Sequence, residues 1–140
     1  MKDLKRLFIP VLVVLFSVST LAHAGTTKVG EREFRSHCAG CHGLDGKGNG
    51  PFVEFLTSKP TSLTVLAKKN NGVFPFQQVY DVIDGVDMLK VHGTRDMPVW
   101  GERYATEIIR QYGEFGTEHP ETVRCRILAL VFFLATMQER

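Results

Sequence analysis

The chain has 140 residues, 44% of them hydrophobic and 23% charged, and its 17 Lys plus Arg against 15 Asp plus Glu give a formal net charge of +2. That balance is globular rather than disordered, suits one domain, and supplies no basic stripe for a nucleic-acid backbone. Three cysteines are too few for a disulfide scaffold, and two of them stand three positions apart with a histidine directly behind.

The first element in chain order is a targeting segment. Lys2, Lys5 and Arg6 precede an apolar run from Leu7 to Phe16, and the stretch closes on Ala22-His23-Ala24, a small-x-small cleavage site. The pattern predicts a secretory signal peptide over residues 1–24, cleaved after about Ala24. A retained membrane anchor is the weaker reading, because the apolar core is about a dozen residues, is interrupted by Pro10, and falls short of the roughly 20 that a span needs. Removing the segment takes Lys2, Lys5, Arg6 and Asp3 with it and leaves residues 25–140 formally neutral. Export places those residues outside the cytoplasm, and together with the motif below it points to a bacterial periplasm, where thiols oxidise unless they are occupied.

Val29 to Cys38 reads as a short amphipathic helix leading into Cys38-Ala39-Gly40-Cys41-His42. A Cys-x-x-Cys in an oxidising compartment fits a thioredoxin-type dithiol, but the histidine immediately behind it is the mark of c-type haem attachment. That chemistry needs this spacing: two thiols add to the two vinyl groups of one porphyrin, and the adjacent imidazole reaches its iron. Gly30 and Phe34 lie eight and four residues before Cys38. With them the chain resembles the class I c-type cytochromes, whose N-terminal helix carries Gly-x-x-x-Phe-x-x-x-Cys-x-x-Cys-His. The resemblance covers nearly all of residues 25–140 and implies an all-α cytochrome c fold. In it short helices wrap around one covalently attached haem c, and the N- and C-terminal helices cross. It implies further that Gly30 admits an aromatic from Phe132 or Phe133, with Phe133, directly before a leucine, favoured.

The stretch Gly43 to Pro51 is similar to the glycine-rich loop that follows the haem histidine in bacterial members. It lacks the Gly-Lys-Ser or Gly-Lys-Thr of a P-loop, and Leu56 stands where a calcium loop beginning at Asp45 needs its glutamate. Positive φ and close approach to the porphyrin account for its glycines better. The resemblance implies a proline-flanked carbonyl that receives the second N–H of His42, with Pro51 and Pro60 marking two candidate segments. Ser62 to Lys68 and Pro75 to Ile83 read as the next helices, and no segment shows sustained strand alternation.

Met97 is the candidate second axial ligand. Pro98 biases it away from helical backbone, and Met97-Pro98-Val99-Trp100-Gly101 resembles the family's Met-Pro ligand segment. Met88 lacks the following proline and Met137 lies near a helix end, so both read as structural. His92 is the rival ligand, and a His/His iron would have a much lower potential. His37 and His119 read as exposed polar residues, and Arg95 and Trp100 as candidate donors to the haem propionates. Tyr104 to Tyr112 is expected to be helical and Gly113 to Pro120 a loop, with Gly101 to Pro120 as a whole a solvated insertion rather than a haem cover or docking element. Glu121 to Met137 is the strongest helix, with Val123, Ile127, Leu130, Val131 and Leu134 at helical spacing and Arg124 and Gln138 on the other side. Cys125 reads as an inert small hydrophobe on that helix rather than a third haem thiol, since one porphyrin consumes two thiols, with an intermolecular disulfide as the alternative.

The function expected from these features is one-electron transfer in the periplasm through a single haem c held by Cys38 and Cys41, with His42 and Met97 as iron ligands and redox proteins as partners. Two other classes compete with it. A labile sixth ligand would make the chain a small-ligand sensor or peroxidase-like protein, and permanent docking would make it a haem subunit of a dehydrogenase or oxidase complex.

Overall fold

The computed structural model describes residues 25–85, 97–113 and 120–139, and they are helical with no strand among them. Residues 1–24, where a signal peptide is expected, and Met88, His92, Arg95 and His119 lie outside the described residues. No helix among the described residues is long and apolar enough to cross a membrane.

One continuous helical rod opens the fold. Residues 25–33 form α1, the chain widens into a π-turn at Phe34–Cys38, and α2 follows at Ala39–His42. The expected helix over Val29 to Cys38 is therefore too short at both ends. Periodicity marks only the buried stripe, whereas backbone bonds carry the helix four residues upstream and four downstream of it. The π-turn is closed by the Ala39 N–H donating to the Phe34 carbonyl, one residue further than in an α-helix. Such wide turns recur at functional sites, and this one directly precedes the Cys-x-x-Cys-His run.

Short 3₁₀ turns occupy Val53–Phe55 and Leu63–Val65, the second running into α3 at Leu66–Lys69. α4 spans Phe76–Asp84, with Pro75 preceding its first turn and Gly85 closing it at φ 97°. α5 spans Trp100–Tyr112 and α6 spans Pro120–Thr136. The Leu63–Lys69, α4 and α6 boundaries agree with the sequence expectations to within a residue or so, because caps and periodicity coincide there.

The core forms where α1 crosses α6. A Cβ on Gly30 would run into the Ala129 carbonyl and lie 2.7 Å from the Phe133 Cβ, so only glycine lets the two backbones come this close. Phe133 then meets the Phe34 ring at 5.5 Å between centroids, as expected, while Phe132 faces outward against Phe76. Ile127, Leu130, Val131 and Leu134 are buried beneath the crossing, each contributing about 2 kcal/mol by area removed from water.

α5 overturns one expectation. The segment after Gly101 is no solvated insertion: Trp100, Gly101, Tyr104 and Ile108 are buried, and α5 packs on both α4 and α6. The helix also begins at Trp100 rather than Tyr104. Gly101 sits so near the end of α4 that a Cβ there would come 2.6 Å from the Asp84 carbonyl oxygen. The spacing of Trp100, Tyr104 and Ile108 is helical, and the charged residues between them disguise a single buried stripe. His37 is likewise not a simple exposed residue, since its ring packs 5.2 Å from Trp100 and 5.8 Å from Tyr104. Cys125, expected to be a buried filler, is exposed on the outer side of α6.

A candidate haem attachment site

The end of the helical rod would normally leave carbonyls without partners. Here the glycine loop satisfies them in sequence: Phe52 N–H donates to Gly40 O at 2.9 Å, Gly50 N–H to Cys41 O at 3.1 Å, and Gly48 N–H to His42 O at 2.7 Å. Folding back so tightly requires positive φ at Gly43, Gly46 and Gly48. At Gly50 the reason is space, because a Cβ would lie 2.6 Å from the Ala39 carbonyl oxygen. The loop's composition is thus explained by capping the helix that carries the motif.

Cys38 and Cys41 are half-buried and free, with no bond between them. The Cys38 thiol is pushed up to about 12, first by burial and then by the negative charges of Glu33 and Cys41. It stays a protonated thiol at neutral pH, unlike the low-pKa thiolate of a redox-active dithiol. That environment counts against the thioredoxin reading.

His42 Nδ1 lies 3.1 Å from the Thr61 carbonyl oxygen. A carbonyl only accepts, so Nδ1 carries the hydrogen and Nε2 keeps a bare lone pair. Burial lowers the pKa of the ring, with the Thr61 bond pulling the other way, and the imidazole is neutral at neutral pH. Of the two proline-marked segments, the structure selects the one after Pro60.

What holds Thr61 in place was not apparent in the sequence. Leu63 N–H donates to Gly46 O at 2.7 Å. From the end of α6, Gln138 Nε2 donates to Leu63 O and its Oε1 accepts from Ala67 N–H, at 2.8 and 2.9 Å. Thr64 Oγ1 donates to Glu139 Oε1 at 2.8 Å, and Glu139 N–H returns a bond to Thr64 O at 2.7 Å. The C-terminal residues therefore clamp the strip that positions the His42 acceptor. Gln138 was read as part of a polar outer face, and no local pattern distinguishes a solvated glutamine from one that bridges 75 residues of chain.

Met97 is half-buried and packs against the core cluster. Val99 closes over Gly85, and Trp100 begins α5, so the Met97-Pro98-Val99 strip runs between the ends of α4 and α5. Trp100 is buried in the core. The donor set fits a haem: two free thiols, an imidazole with Nδ1 fixed and Nε2 bare, and a half-buried thioether just ahead of α5. No group of three or more His, Cys, Asp or Glu among the described residues is arranged to hold a metal ion without a porphyrin.

Residues 28–84 match the family model described as Cytochrome c. No curated protein and no solved structure matches the chain.

Proposed function

We propose that this chain, a c-type cytochrome with haem c bound covalently, is a periplasmic one-electron carrier whose iron is held by His42 and Met97. The observation that carries the reading is the His42 to Thr61 hydrogen bond. It fixes the tautomer and the ring plane directly behind Cys38 and Cys41 and raises the basicity of the nitrogen left for iron.

When bound, the haem supplies a one-electron Fe(III)/Fe(II) couple. The residues do the rest. Cys38 and Cys41 anchor the porphyrin by two thioethers, so it is retained through repeated turnover. His42, kept neutral by burial, offers Nε2 as a ligand without first losing a proton. Met97 offers a thioether, which favours the reduced state and raises the potential. Pro98 keeps that residue off helical backbone. With His42 and Met97 both serving as ligands, the iron would keep no open position for substrate, and exchange with donor and acceptor proteins would remain. Export follows from the signal segment, with cleavage after about Ala24.

The test is the visible spectrum of the holoprotein, oxidised and reduced. A far-red thioether-to-iron charge-transfer band, lost in Met97→Ala, is the expected result. Persistence of the band in that variant would move the ligand to Met88 or Met137. A low-spin spectrum without the band would promote His92, and a high-spin one with rapid carbon monoxide binding would promote the sensor or peroxidase-like alternative.

A further inference from the structure

Glu33 is a buried carboxylate with 8% exposure, one helical turn and a residue ahead of Cys38. Its Oε2 accepts from Arg126 on α6 at 3.0 Å and lies 3.5 Å from His37 Nε2. Arg126 is shared, because its other nitrogen donates to Glu107 of α5 at 2.8 Å. The guanidinium also lies 4.1 Å over the Tyr104 ring. Two carboxylates thus share one guanidinium, and the buried one, Glu33, lies on the same helical rod as Cys38, five residues before it.

A buried ion pair is weak evidence for stability, since desolvating both charges offsets most of their attraction. A buried carboxylate is, however, a good source of field in a poorly screened place. We propose that Glu33, restrained by Arg126, is a positioning residue for charge that sets the reduction potential of the haem. The ferric centre carries one more positive charge than the ferrous one, so the Glu33 carboxylate favours the oxidised state and lowers the potential, while Arg126 limits how far. Cys38 itself registers the field, its thiol being pushed up in part by the Glu33 charge. The inference rests on haem attachment at Cys38 and is independent of which residue supplies the sixth ligand.

The experiment is a spectroelectrochemical titration of the holoprotein and of Glu33→Gln, Arg126→Gln and Glu31→Gln. At the wild-type midpoint Glu33→Gln is expected to be more than half reduced, and Arg126→Gln less than half reduced. Glu31→Gln serves as control, because Glu31 is exposed and paired with Arg35, and it is expected to stay at one half. Opposite signs for the first two distinguish a field effect from a packing effect. Unchanged midpoints, or shifts of the same sign accompanied by a lower Tm, would overturn the proposal and leave the cluster a purely structural brace. Should either variant fail to retain haem, Glu107→Gln removes the half-exposed member instead, and absence of any rise there is equally fatal. Haem content and low-spin character recorded on the same samples report attachment separately.

Discussion

The strip from Cys38 to Leu63 and the crossing of α1 with α6 are neighbours held together by different forces. Beyond His42 the strip is mostly irregular, and Leu44, Phe52 and Phe55 are exposed. Its order comes from backbone hydrogen bonds, from glycines at positive φ and from a clamp supplied by Gln138 and Glu139. At the crossing, order comes from close packing around Gly30, with Leu130 and Ile127 at essentially zero exposure. One region is held by polar bonds and backbone geometry, and the other by the packing of side chains.

The largest expected effect follows from withdrawing the haem from the first region. A Cys38→Ala, Cys41→Ala protein cannot anchor the porphyrin, and with a small core it is expected to be largely unfolded by circular dichroism. A native-like spectrum would overturn this and show that packing at the crossing holds the fold without haem. Next comes Gly30→Val, which forces a side chain into the Ala129 carbonyl. It should cost about 3 kcal/mol in denaturant unfolding, with the haem spectrum of the folded fraction unaltered. A changed spectrum there would mean the two regions are one mechanical unit. The smallest effect belongs to Gln138→Ala. Loss of its bonds to Leu63 and Ala67 should cost about 1–2 kcal/mol and, unlike Gly30→Val, should shift the midpoint potential by loosening the acceptor of His42. An unmoved potential would show that Thr61 is held without the clamp.

The same contrast explains what could be read in advance. Cys38, Cys41 and His42 are contiguous and bound to one another by a chemical requirement, so the residues themselves carry the message. Gly30 and Phe34 belong to the same short stretch, and the apolar stripe of α6 repeats at helical spacing. The buried stripe of α5 was hidden because Glu102, Arg103, Glu107 and Arg110 alternate with it, and charge density there outweighed spacing. Cys125 was placed inside on the strength of its apolar neighbours, yet the helix turns it outward. Glu33 gave no local sign at all, because its partner Arg126 lies 93 positions away.

Alone, the sequence determined the haem-attachment chemistry and the helical class of this protein, since each depends on residues close enough along the chain to act together. Tertiary structure decided which carbonyl receives the His42 N–H, which helices make the core, and where the Glu33 carboxylate meets Arg126. Those depend on backbone approach and on charges brought together from distant positions, and neither distance nor burial is written in the order of residues.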